Sequence, residues 1–142
     1  TEHLLWRGRN GELDGYKAKG IMLMIGTNNG HDRAEDVARG IRAILDLIAE
    51  KQPQATTLLL PIFPRGASAS DAARAKNEKV NALVKAYADG EKVVWVDFNA
   101  RFLDGNGDTK WIMPDRLHPN AAGYREIWLP AVLPHFKAIC GK

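Results

Sequence analysis

The sequence predicts an α/β domain of three layers, α/β/α, with a parallel sheet in the middle, and three observations carry that expectation. Three short apolar runs, GIMLMIG at 20–26, ATTLLLPIFP at 55–64 and KVVWVDF at 92–98, are continuous rather than alternating, as expected of strands covered on both faces. The two segments between them repeat their apolar residues at helical spacing. The resulting order of strand, helix, strand, helix, strand implies right-handed βαβ units. At 142 residues, 45% of them hydrophobic, the chain has the size of one domain over 1–142 with a substantial core.

Each element has its own local signals. EHLLWR at 2–7 is a helical pattern ahead of the first strand. Over 32–52, Val37, Ile41, Ile44, Leu45 and Ile48 form one stripe, Asp32 and Glu35 suit a capping box, and Pro53 follows the end. Over 71–89, Ala73, Val80, Leu83, Val84 and Tyr87 share a face, and Gly90 stands just past the last turn. A final helix over 120–139 carries Tyr124, Ile127, Trp128, Val132 and Phe136, and Pro130 and Pro134 predict that it is kinked.

Composition excludes several classes of function. The net charge of +3 comes from 20 basic and 17 acidic residues interspersed along the chain, which leaves no basic stripe for nucleic acid. Cys140 is the single cysteine, so no intramolecular disulfide is possible. No apolar run approaches the roughly 18 residues that a membrane span requires. His3, His31 and His135 lack zinc-ligand spacing. Asp104, Asn106 and Asp108 imitate the start of a calcium loop, but Thr109 and Asp115 stand where that loop needs Gly and Glu, so a turn is expected. No glycine-rich phosphate loop follows any strand, which argues against a nucleotide binder. No metal or cofactor is called for.

In doubly wound sheets the working site lies beyond the C-terminal ends of the strands. That rule points to 26–31, 64–71 and the segment after Phe98. The first strand ends on Gly26, Thr27, Asn28, Asn29 and Gly30, residues that suit either a turn or a held-out amide donor. Ahead of the last helix, MPDRLHPNAAGY places Asp115 and His118 three apart. A carboxylate that accepts from Nδ1 fixes the imidazole and leaves Nε2 free to take a proton. The same spacing suits a plain turn before Pro119, so the pair alone decides nothing.

The combination is more specific. GTNN and DRLHPN, in that order, with LLPIFPRGASASDAARAKNEKVNALV between them, resemble the SGNH (GDSL) hydrolases, and in particular their platelet-activating-factor acetylhydrolase type. The resemblance implies the flavodoxin-like SGNH fold and an ester hydrolase acting on a small acyl ester, such as an acetylated carbohydrate or lipid-like alcohol. It assigns the oxyanion-hole amide to Asn28, the base to His118 and the orienting carboxylate to Asp115. A neutral amide can stabilise the oxyanion of a tetrahedral intermediate without bringing in a fixed charge. Gly26 and Asn29, beside that amide, and Trp111, near the DxxH turn, are expected to contact substrate, because aromatic rings often line such pockets.

The family's GDS nucleophile block and its second block, which lends a glycine N–H, have no counterpart here. Ser68 and Ser70 are the only serines, and their loop RGASASD is not the strand-to-helix turn of a family nucleophile. By the resemblance, the chain corresponds to the part of the domain after those blocks, and it begins without Met inside a helical pattern. The expectation is a Ser-His-Asp triad whose serine comes from outside this chain, on a missing N-terminal segment or a second copy. The alternative is an inactive domain that at most binds a ligand. The absent strand would be central, so the run 20–26 should present an unpaired edge.

Overall fold

In the computed structural model, which describes residues 1–141, the three apolar runs pair as a parallel sheet. Strands β1 (Gly20–Leu23), β2 (Thr56–Leu59) and β3 (Val93–Trp95) lie in that order, with Gly20 opposite Thr56, Leu23 opposite Leu59 and Leu59 opposite Trp95. Regular pairing is shorter than the apolar runs. One further bond extends each pair, from Leu60 N–H to the Leu23 carbonyl and from Val96 N–H to the Leu59 carbonyl. Pro61 then has no N–H to give. The Ile62 backbone turns to side-chain amides instead: its N–H donates to Asn81 Oδ1 at 2.8 Å, and its carbonyl accepts from Asn81 and Asn99.

Successive residues of β2 face opposite layers, which is why Leu58, Leu59 and Leu60 are apolar at consecutive positions. On one side Leu23 and Leu59 pack with Val37, Ile41, Ile44, Val80 and Val84 from helices α2 (Ala34–Lys51) and α3 (Ala72–Lys85). On the other, Leu58, Leu60 and Val96 pack with Phe102, Met113 and Val132. Val132 belongs to a C-terminal helical run of α4 (Ala121–Gly123), a π-helical turn (Tyr124–Trp128) and α5 (Leu129–Cys140). Helix α1 (Glu2–Arg7) lies against α2 and adds Leu4 and Leu5 to the first core. The result is the expected three-layer α/β/α arrangement with a parallel sheet. β1 pairs with β2 on one side and, among the described residues, with no strand on the other.

Helix ends differ from expectation where long-range contacts intervene. Arg33 occupies the N-cap of α2 with no side-chain bond, so the Asp32–Glu35 capping box does not form. Asp32 accepts from the Asn29 amide, and Glu35 pairs with Lys79 at 2.6 Å. Asp71 does cap α3, accepting from Ala73 N–H at 2.9 Å. That helix ends at Lys85, short of Gly90, because Asp89 gathers the N–H groups of Glu91, Lys92 and Val93 and turns the chain into β3. Pro130 sits in the first turn of α5, where a missing N–H costs little, and the π-helical turn just before it takes up the irregularity. The helices give no membrane span: among the described residues none is long and apolar enough.

Candidate active site

The loop after β1 begins with a conformation that glycine alone adopts easily. Gly26 has φ +122°, and a Cβ there would lie 2.8 Å from Ile62 Cδ1 and 3.0 Å from Val37 Cγ1. The turn it makes is closed by Asn29 N–H donating to the Gly26 carbonyl. Residues on either side of Asn28 are held from elsewhere. The Thr27 carbonyl accepts from Arg65 Nη1 at 2.9 Å, and the Asn29 carbonyl accepts from Lys76 Nζ. Asn29 donates its own amide to Asp32 at 2.8 Å and to Glu2 at 3.2 Å, so its side chain is committed to bracing the loop. Asn28 is exposed, and its amide makes no hydrogen bond among the described residues.

The second part of the site is a turn anchored by buried Ile112 and Met113. Asp115 Oδ1 accepts from the backbone N–H of His118 at 2.7 Å and of Leu117 at 3.0 Å, and Oδ2 meets His118 Nδ1 at 2.6 Å. Between them Arg116 has φ +58°, the one non-glycine residue with positive φ among those described. Its carbonyl accepts from Gly66 N–H, which ties the turn to the loop after β2. Arg74, almost fully buried, braces that loop further by donating to the carbonyls of Arg65, Gly66 and Gly107, each at 2.9 Å. The His118 backbone N–H first, then its ring, hold the Asp115 carboxyl down at about 2. A carboxylate can only accept, so Nδ1 is the donor, and the neutral ring leaves Nε2 as a bare acceptor. The His118 side chain is 67% exposed.

These two parts meet at the C-terminal ends of β1 and β2. Gly26, Asn28, Asn29 and His118 line one cavity of about 360 Å³, whose remaining walls are largely apolar, with Met24, Phe63, Leu117 and Tyr124 among them. Asp115 stands behind His118, outside the lining. Trp111 does not line this cavity: it is 73% exposed, because its neighbours Ile112 and Met113 point inward and turn it to solvent. Ser68 and Ser70 are also elsewhere, bonded to each other at 2.9 Å. Asp104 accepts from Asn106 and Asp108 N–H groups, which makes the calcium-like stretch a self-contained turn. No group of three or more His, Cys, Asp or Glu residues among those described could hold a metal ion.

Sequence reasoning overlooked the apolar walls, and it did not place His3, an exposed residue of α1, in the lining. Met24 carries a usable signal, since it directly follows Leu23, the last paired residue of β1, and Phe63 stands further on in the apolar run that begins as β2. Tyr124 carries none, because its place in the wall depends on where the C-terminal helical run docks.

Comparison with known proteins bears on family and fold. The model of the GDSL-like lipase/acylhydrolase family matches residues 1–126. The chain is 41% identical over 132 residues to the platelet-activating factor acetylhydrolase IB subunit alpha2 of Rattus norvegicus, covering 92% of this chain and 57% of the relative. It is 38% identical over 129 residues to the subunit alpha1 of the same enzyme from Pongo abelii, covering 89% and 55%. The chain thus spans little more than half the length of these relatives. Among solved structures, a carbohydrate esterase family 3 protein from Talaromyces cellulolyticus superposes with a TM-score of 0.66 at 22% identity, covering 98% of this chain and 69% of that one. At that identity the likeness concerns the fold.

Proposed function

Because the chain belongs to the GDSL-like lipase/acylhydrolase family, we propose that it takes part in hydrolysing a short acyl ester through an acyl-serine intermediate. The reading rests on one observation: Asn28 and His118 line the same cavity, and Asp115 holds the His118 ring at 2.6 Å. In this mechanism a serine hydroxyl gives its proton to His118 Nε2 as its oxygen attacks the acyl carbon. The negative oxygen that develops accepts from the Asn28 amide. Collapse expels the alcohol, which takes the proton back from His118, and water repeats the cycle to free the acid.

The nucleophile is proposed to come from outside these 142 residues, because both serines of the chain lie away from His118. The same holds for the glycine N–H that would complete the oxyanion hole. A segment carrying that serine, docked along the free edge of β1, would satisfy strand groups that otherwise have no partner. A second copy pairing at the same edge is the competing occupant. The apolar walls suit a small acyl group, and the acetylhydrolase names of the relatives favour acetyl, borne by a lipid-like or carbohydrate alcohol. With no serine on the cavity, an inactive domain that only binds an acyl ligand is the second reading.

Hydrolysis of p-nitrophenyl acetate, combined with the intact mass of the active preparation, separates these readings. Activity that disappears in His118→Ala and accompanies a serine-bearing polypeptide supports the triad. Activity indifferent to His118→Ala refutes it, and binding without turnover favours the inactive domain.

A further inference from the structure

The Asn28 loop and the His118 turn come from distant parts of the chain, and among the described residues no hydrogen bond joins them directly. Two residues of the loop after β2 touch both. Arg65 donates from Nη1 to the Thr27 carbonyl at 2.9 Å, one residue before Asn28. Gly66 donates its N–H at 3.0 Å to the carbonyl of Arg116, which lies between Asp115 and His118 with φ +58°. Gly66 itself has φ +82°, and Asp71 packs where a Cβ would stand, so the peptide takes this direction only with glycine there.

Arg74 of α3 fixes this dipeptide. It is 1% exposed, and it donates from Nε to the Arg65 carbonyl, from Nη2 to the Gly66 carbonyl and from Nη1 to the Gly107 carbonyl, each at 2.9 Å. A buried cation is costly unless its donors are met. Only neutral oxygens meet them here, since among the described residues no carboxylate pairs with Arg74. An apolar side chain of similar volume would avoid that cost. It could not supply a planar fork that reaches carbonyls from two separate segments. The Thr109 hydroxyl adds a second side-chain donor to the Gly66 carbonyl at 3.3 Å.

We infer that Arg74 and Arg65 are positioning residues: Arg74 fixes the Arg65–Gly66 dipeptide, and that dipeptide sets the Asn28 amide and the His118 imidazole on one frame. In this role neither arginine touches the reacting atoms. Arg65 acts through Asn28 alone, whereas Arg74 acts through Asn28 and His118 together. Their effect on turnover rests on the hydrolase reading above; the coupling of the loop to the turn does not.

Two measurements test this. First, backbone amide resonances of the chain are compared in Arg74→Lys, whose single ammonium cannot span three carbonyls, and in Arg65→Met. Arg74→Lys should shift Thr27, Asn28 and Asn29 as well as Leu117 and His118, although Arg74 bonds to none of them, and should leave Ile44 and Leu47 of α2 in place. Of these signals, Arg65→Met should shift only the first three. Shifts confined to 65–67 and 107 in Arg74→Lys, or an unmoved Asn28 in Arg65→Met, overturn the frame. If Arg74→Lys does not fold, Thr109→Val takes its place, and unmoved Arg116 and His118 signals there overturn the link to the base. Second, in the active preparation, Arg65→Met should lower kcat about tenfold with KM changed less than about twofold, and Arg65→Lys should restore it. Added to Asn28→Ala, Arg65→Met should cost no more than about twofold further, because the donor it positions is gone. Arg74→Lys should still cost about tenfold in that background, through His118. Full additivity of Arg65→Met with Asn28→Ala would mean that Arg65 serves general stability, and the positioning role is refuted. The expected amide shifts without ester hydrolysis by any preparation would uphold the frame and reject the hydrolase reading.

Discussion

The Asp115 carboxylate holds His118 twice, accepting from its backbone N–H at 2.7 Å and from its ring Nδ1 at 2.6 Å. One short turn therefore sets both where the imidazole sits and which nitrogen faces the cavity. The sequence allowed this turn but did not require it, and several consequences can be measured.

The first concerns pH. The carboxyl of Asp115 is lowered from the ordinary 3.8 to about 2, chiefly by the His118 backbone N–H. A depressed folded-state value means that the contribution of Asp115 to order in this turn is complete above the ordinary carboxyl range. It is lost as pH falls from there through about 2. Amide signals of Leu117 and His118 should show a transition between about 4 and 2 as the Asp115 carboxylate is protonated. Asp115→Asn should abolish that transition and lower kcat of the active preparation by a factor on the order of 10⁴, since the ring tautomer is no longer enforced. A kcat unchanged in that variant would remove Asp115 from the mechanism.

Asn28 gives a cleaner separation of activity from stability. Its amide is exposed and makes no bond among the described residues, so Asn28→Ala should change unfolding free energy by no more than about 0.5 kcal/mol. Loss of an oxyanion donor typically lowers kcat about 10²- to 10³-fold. Denaturant unfolding alongside steady-state kinetics measures both, and a fall in stability that accounts for the lost activity would contradict the assignment.

At Gly26 the expectation is reversed, with stability responding first. Gly26→Ala must place a methyl 2.8 Å from Ile62 Cδ1 at a φ of +122°. Backbone strain and the clash together should destabilise the fold by roughly 2–4 kcal/mol. Thermal unfolding checks this; a variant as stable as the parent would mean that the loop takes a different path.

The free edge of β1 should govern association. Met22 and Met24 are exposed beside strand groups that no other strand satisfies among the described residues. We expect size-exclusion chromatography with light scattering to give a mass above that of one 15.7 kDa chain, through a docked segment or a second copy. Met22→Lys, by placing a charge on that edge, should weaken self-pairing. A stable wild-type species at the mass of a single chain would show that the edge needs no cover.

Much of the fold was legible because its signals are short-range. Continuous apolar runs announced the buried parallel strands, and the stripe of Val37, Ile41, Ile44 and Ile48 announced α2. The Asp32–Glu35 box did not form, because both carboxylates have other partners. Asp32 was taken by the Asn29 amide, three residues before it, and Glu35 was drawn to Lys79 on α3, a partner that exists only once the helix pair has formed. Trp111, close in sequence to His118, turned outward because the two residues after it are buried.

The sequence by itself determined the strand–helix order, the parallel sheet, the site's location at the strands' C-terminal ends, and the residue types able to do the chemistry. These follow from hydrophobic periodicity and from motifs a few residues long, which local sterics and hydrogen bonding decide. Only the tertiary structure decided that Asn28 and His118 share a cavity, that Met24, Phe63 and Tyr124 wall it, and that Arg65 and Lys76 line a second cavity beside Asn28. Those groups sit on separate loops and helices. Their distances are set by sheet register, by the turn at Gly26 and by the docking of α3 and the C-terminal helical run, none of which any single stretch of sequence encodes.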